Sequence, residues 1–224
     1  MVSRLDRACF GLLAALAAAR SGTAQTVTVR QGDIYLSGPA GHEEKLTSSG
    51  RDSDATLSAD KKKVVFVRVI RDRPDASGLG KAVDQSEIDT IDLASPTRET
   101  HVLLDSPIHA RGLQFQWFSS PGLSPDGRFV YFSVPDYSTV SPGLFELDTT
   151  TRTVRPLAPA LRYWIVPAGV YRGDLVVWQN PVFVGGGRYD VFNLIKPSGD
   201  LVGAVGFNQA QVDAFMAEQS YAAR

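Results

Sequence analysis

The chain has 224 residues, with 23 Lys+Arg against 24 Asp+Glu, 43% hydrophobic residues, one Cys, 20 Gly and 13 Pro. A net charge of −1 leaves no electrostatic footprint for nucleic acid, and this apolar content with so little net charge excludes a disordered chain. A single Cys excludes a disulfide framework and a cysteine-built zinc cage.

In chain order, residues 1–24 read as an export signal. Arg4 and Arg7 precede a charge-free run from Phe10 to Ala19, and Gly22-Thr23-Ala24 places small residues before a cut near Ala24. The run is about half of the roughly 20 residues that a membrane-spanning helix needs. Cys9 does not fit a lipid anchor, because Asp6-Arg7-Ala8 precede it and the apolar run follows it. Cleavage removes three basic residues, one acidic residue and the Cys, leaving a net charge of −3. The mature chain is therefore expected to be periplasmic or secreted, without a transmembrane segment, and to rest on packing alone.

Short apolar runs follow: Thr26–Val29, Ile34–Leu36, Val64–Ile70, Ile88–Leu93, Phe129–Val134, Leu144–Leu147, Leu175–Trp178, Tyr189–Ile195 and Leu201–Phe207. They are rich in Val, Ile, Phe and Tyr. Turn residues punctuate them, among them Pro125-Asp126-Gly127, Ser141-Pro142-Gly143, Gly185–Gly187 and Pro197-Ser198-Gly199. This pattern predicts an all-β, meandering antiparallel protein. Only Gln209–Ala223 reads as helix, with Asn208 as its cap and Val212, Phe215 and Met216 on one face, set to cover a sheet edge.

The strands repeat. Leu57-Ser-Ala-Asp-Lys-Lys-Lys-Val-Val-Phe66 aligns with Leu123-Ser-Pro-Asp-Gly-Arg-Phe-Val-Tyr-Phe132, and Val170–Trp178 is a looser copy. Pro125 presets φ, Asp126 bonds back to the following backbone, and Gly127 accepts positive φ; Asp60 holds the place of Asp126 in the first copy. A second hairpin follows each copy. Four strands per unit at a spacing of about 40–50 residues predict four propeller-like blades over residues 25–207, with a terminal helix over residues 208–224.

The segments LTSSGRDSDATLSADKKKVVFVR and LSPDGRFVYFSV, the latter followed by LFELDTTTRTVRPL, resemble the repeats of TolB-type β-propellers, whose mark is a Ser-Pro-Asp-Gly turn between two strands. Similar repeats occur in the propeller domains of prolyl-oligopeptidase-like peptidases. The first copy departs from the pattern, with Ala59 for Pro and Lys61 for Gly. The resemblance implies blades and is nearly silent on function. TolB-type proteins are expected to carry six blades and an N-terminal α/β domain. About 200 residues hold four blades, either as a small closed ring or as an open arc whose edges need covering.

Local chemistry is sparse. There is no Gly-x-Ser-x-Gly elbow. His42, His101 and His109 lack metal-ligand spacing, and Asp52-Ser53-Asp54 with Asp60 lacks a calcium-loop pattern. Gly185–Gly187 opens no helix, and Lys61–Lys63 reads as a solvated hairpin tip. No catalytic residue, metal or cofactor is assigned. The loops that lead from one blade to the next gather the candidate binding residues: Arg51, Asp52, Asp54, Arg111, Gln116, Trp117, Arg162, Tyr163 and Trp164. Packing of Trp117 and Trp164 between blades is the plainer expectation for those two rings. The stretch Arg71–Ser86 reads as a long exposed hairpin loop. Three functions fit: a non-catalytic module that binds an envelope or extracellular protein or ligand; a small hydrolase or lyase acting on a sugar polymer, with carboxylates gathered from several blades; or a half-propeller completed by self-association.

Overall fold

The computed structural model describes residues 25–38, 41–74, 82–110, 113–135, 142–181 and 185–221. The signal-like segment lies outside them. Strands dominate, in a series of antiparallel meanders. The first sheet has β1 (Thr26–Arg30), β2 (Asp33–Ser37) and β3 (Glu43–Lys45). The second has β4 (Asp52–Leu57), β5 (Lys63–Pro74), β6 (Ala82–Asp92) and β7 (Thr100–Leu104). A small hairpin of β8 (Ile108–Ala110) and β9 (Leu113–Phe115) leads to the third sheet. That sheet has β10 (Ser119–Leu123), β11 (Phe129–Val134), β12 (Gly143–Asp148) and β13 (Val154–Pro159). The fourth has β14 (Arg162–Ile165), β15 (Leu175–Gln179), β16 (Val191–Ile195) and β17 (Leu201–Gly206), and the helix α1 spans Gln209–Tyr221. The expected four-strand count holds in three sheets; the first has three strands among the described residues.

Period-two alternation explains the stacking. On β5, Val64 and Phe66 pack with Ile34 of the first sheet, while Val65 packs toward the third. On β11, Val130 and Phe132 face the second sheet, while Tyr131 joins Leu175 and Val177 of the fourth. On β15, Val176 turns the other way and packs, with Phe192 and Leu194, against Val212 of α1. The four apolar clusters therefore run in series, from the first sheet to the helix.

Both ends of the series are finished. The far face of the first sheet is polar: Arg30 stacks over Tyr35 at 3.8 Å and pairs with Glu43, and Lys45 Nζ lies 2.7 Å from Asp33. The far face of the fourth sheet is covered by α1, capped by Asn208, whose Oδ1 accepts from Gln211 N at 3.0 Å. Polar terminal faces and capping elements are how stacked repeats end without leaving apolar surface. Among the described residues no apolar cluster joins the last sheet or the helix to the first sheet. Also among them, no helix is long and apolar enough to cross a membrane.

The two turn copies fold alike because of their Ser and Asp, not their Pro and Gly. Ser58 Oγ donates to Asp60 at 2.7 Å and accepts from Lys63 N at 2.9 Å; Ser124 Oγ donates to Asp126 at 2.5 Å and accepts from Phe129 N at 2.9 Å. The Ser hydroxyl, followed by a backbone donor from Lys62 or Arg128, holds each Asp carboxyl below its usual range. Both turns need a residue at positive φ, supplied by Gly127 at 73° and by Lys61 at 60°. Other turns staple neighbouring sheets. Arg98 pairs with Glu44 of the first sheet, and Arg152, at the same place in the next unit, donates to the carbonyls of Val102 and Leu103.

One expectation is corrected. Arg71–Ser86 is not a loop throughout: β5 runs to Pro74 and β6 resumes at Ala82, with Arg73 opposite Val83 and Ile70 opposite Gln85. A bulge between Ile70 and Arg73, with Asp72 at φ 54°, breaks the alternation that would have revealed the strand. The remainder of that stretch, 75–81, lies outside the described residues.

An L-residue in the left-handed region costs about 1–2 kcal/mol, partly offset in the unfolded chain when glycine replaces it. Lys61→Gly is therefore expected to raise stability by about 0.5 kcal/mol, and Gly127→Ala to lower it by about 1 kcal/mol, read from urea midpoints. A loss of stability in Lys61→Gly would contradict the turn's strain.

Candidate functional site

The meander sends the segments before β4, β10 and β14 to one end of the sheets, opposite the Ser-Asp turns. The three strands that descend from that end are linked side by side: Ser120 N on β10 donates to Asp54 Oδ2 on β4 at 3.0 Å. Tyr163 Oη on β14 lies 2.6 Å from the Ser120 carbonyl and 2.8 Å from that of Tyr131. Between them opens a cleft of about 630 Å³, lined in part by Asp54, Trp117, Ser119, Ser120, Arg162 and Tyr163.

The cleft walls carry a repeated irregularity. The β4–β5 register shifts between Ser53 and Thr56, and the β10–β11 register shifts between Ser119 and Gly122. Each bulge contains a non-glycine residue at positive φ, Asp54 at 49° and Ser120 at 51°. Both stand three residues before the Leu-Ser of a turn motif, so the bulge belongs to the repeat. Bulges re-aim side chains, and strained backbone concentrates where surrounding structure exploits it. Here both strained residues border the same cleft.

The structure sorts the candidate residues. Asp54, Trp117, Arg162 and Tyr163 meet at the cleft. Trp117 is 38% exposed at its rim, whereas Trp164 packs against Phe192 with ring centroids 5.9 Å apart, beneath the Arg162 guanidinium at 5.2 Å. Packing is thus the role of Trp164 and not of Trp117. Burial pushes the Tyr163 phenol above its usual range, so it stays a neutral donor to the strand beside it. Gln116 lines a small hollow of about 170 Å³ next to Trp117. Arg51 is exposed in the loop before β4. Arg111 lies outside the described residues. Asp60, Pro125, Asp126 and Gly127 sit in the turns at the opposite end. Sequence reasoning missed Ser119 and Ser120; the signal was available, since Ser119-Ser120 holds the repeat position of Ser53-Asp54.

Asp52 points away from the cleft. It is 3% exposed and meets Arg68 in a two-pronged pair, Nε to Oδ1 at 2.7 Å and Nη2 to Oδ2 at 3.1 Å. The same guanidinium lies 3.0 Å from Asp89 Oδ2. Asp89 is fully buried on the face toward the first sheet, and neither of its oxygens accepts a well-aligned hydrogen bond. Burial, then repulsion from Glu87, pushes its carboxyl up to about 7, against the pull of Arg68. Arg73 bridges Glu87, at 3.4 Å, and Asp105. Among the described residues, no group of three or more His, Cys, Asp or Glu side chains is placed to hold a metal ion.

Asp89 supplies a pH test. Its folded pKa is raised above the unfolded value of about 3.9, so its contribution to stability is complete below that value and is lost as pH rises through about 7. Asp89→Asn cannot ionise. Its stability relative to the parent is expected to be near zero at about pH 4 and to grow to the order of 2 kcal/mol at about pH 8. Urea unfolding at both pH values checks this, and a difference independent of pH would refute it.

No family model matches the sequence, and no curated protein does. Solved structures are similar in fold. One is TolB from Acinetobacter baumannii, at 16% identity and a TM-score of 0.34, over 79% of this chain and 49% of that one. Another is the β-propeller domain of the Trilobed protease from Pyrococcus furiosus, at 14% identity and a TM-score of 0.47, over 80% of this chain and 52% of that one. A third is an oligogalacturonate lyase from Vibrio parahaemolyticus, at 12% identity and a TM-score of 0.46, over 80% of this chain and 47% of that one. The chain spans about half the length of each, and at these identities the likeness is one of strand architecture.

Proposed function

We propose that this chain is an exported, non-catalytic binding module of TolB-like propeller type, which engages an envelope or extracellular protein or ligand through the cleft. The observation that carries the reading is the convergence of three strands on one cleft, with two strained bulges in its walls and the Trp117 ring exposed at its rim. An exposed Trp in a cleft that an Arg and a Tyr also line is the composition in which binding energy concentrates. Binding is favoured over glycoside hydrolysis by the carboxylate content. Among the described lining residues Asp54 is the one carboxylate, and it is engaged by Ser120 N. Paired-carboxylate chemistry needs two. Export rests on the sequence of residues 1–24 alone.

Site-resolved photocrosslinking tests the cleft. A benzophenone side chain at position 119, in the cleft wall, is expected to give discrete adducts in a host with a periplasm. The same group at position 170, an 84% exposed residue in the β14–β15 turn at the opposite end, is expected to give none. Trp117→Ala with Arg162→Ala is expected to lower adduct yield about tenfold, the equivalent of 1.4 kcal/mol. Equal adducts at both positions would sink this assignment. N-terminal sequencing of the exported protein is expected to begin at Gln25; a retained Met1 would remove the export reading.

A further inference from the structure

Trp117 is 38% exposed, yet its backbone is held on both sides by one buried residue that does not line the cleft. Ser86, on β6, is fully buried. Its N–H donates to the carbonyl of Gln116 at 2.9 Å, and its Oγ accepts from Phe118 N at 2.6 Å while lying 3.4 Å from the Gln116 carbonyl. The peptides before and after Trp117 are therefore both tied to Ser86. The same β5–β6 arm holds the start of the segment that carries Trp117. Arg73 Nη1 donates to the Ser106 carbonyl at 3.1 Å, and Ser106 Oγ donates to Gln85 Oε1 at 3.0 Å. Phe118 then seals the tether from below, packing edge-on to Phe132 at 5.4 Å.

We propose that Ser86 is the positioning residue of the cleft: it fixes the peptide on either side of Trp117, so that the ring stands ordered at the rim before a ligand arrives. The inference rests on reading the cleft as the binding site. Its physical content is preorganisation. A side chain already held in its bound arrangement forfeits less freedom on binding. Alanine at position 86 keeps the backbone bond to the Gln116 carbonyl but leaves the N–H of Phe118, a buried residue, without its acceptor, which frees the peptide after Trp117. Threonine would keep the hydroxyl.

The test reads Trp117 directly and needs no ligand. The full chain is labelled with 5-fluorotryptophan, and the Trp117 resonance is assigned by its loss in Trp117→Phe. In Ser86→Ala the Trp117 resonance is expected to narrow and move toward that of the free amino acid. Those of Trp164 and Trp178, packed on Phe192 far from Ser86 in the chain, are expected to stay. Ser86→Thr is expected to keep the parent spectrum. An unchanged Trp117 resonance in Ser86→Ala would overturn the proposal. So would movement of all three resonances together, which marks a loss of the whole fold, or a threonine variant that shifts Trp117 as far as alanine does. Failure of the crosslinking experiment with a positive result here would reject the cleft as a binding site and leave the tether intact.

Discussion

A sheet with apolar residues on both faces cannot stand alone in water, and the second, third and fourth sheets are of this kind. Val64 and Val65, Val130 and Tyr131, Leu175 and Val176 are neighbours in sequence, yet each pair is buried in two different clusters. Every sheet therefore requires a partner on each side, and the rest of the structure follows. The sheets stack in series, the connections shuttle between two ends, and the series has to be closed off with something other than another apolar face. The polar face of the first sheet does this at one end, and α1 does it at the other.

Stacking by apolar faces fixes which sheets touch but is weakly directional. The polar contacts supply the angle and register. Tyr163 Oη reaches the Ser120 carbonyl, Ser120 N reaches Asp54, and Arg98 and Arg152 each reach back from a turn to the preceding sheet. These contacts tie together the strands that border the cleft at one end and the outer strands at the other. Several of the residues that make them, Asp54, Ser120, Arg98 and Arg152, are non-glycine residues at positive φ. The strain at these four positions sits in bulges and turns, where the ladder is interrupted and the chain reaches a neighbouring sheet.

The long β5–β6 arm has a different role from the other hairpins. It extends past the stacked part of the second sheet and carries Arg73, Gln85 and Ser86, all of which bond to the segment between Asp105 and Phe118. Beneath it lies the ion-pair group of Asp52, Arg68 and Asp89, where the arginine answers more carboxylates than it can neutralise. Burial without a full complement of donors pushes the Asp89 carboxyl up to about 7, so that its charge changes near neutrality.

The all-β architecture, the repeat, the Ser-Asp turns and the capped helix were legible in the sequence, because each depends on short-range chemistry. Alternation marks a strand, Ser58 and Asp60 or Ser124 and Asp126 close a turn on themselves, and Asn208 caps the residues next to it. So was the end of the molecule where Asp54, Trp117 and Arg162 gather, since a meander sends every inter-sheet connection to one side. The sequence did not separate Trp117 from Trp164, although both follow the same logic; one is exposed at a rim and the other lies under a guanidinium against Phe192. Nor did it reveal that Arg71–Ser86 is largely strand, or that Asp52 serves a buried ion pair while Asp54, two residues on, faces the cleft. Those outcomes depend on a bulge, a register and a neighbouring sheet, which are contacts between residues distant in the chain. Local pattern determined what each segment is; only the packing of one sheet on the next decided which of its residues are left facing the cleft.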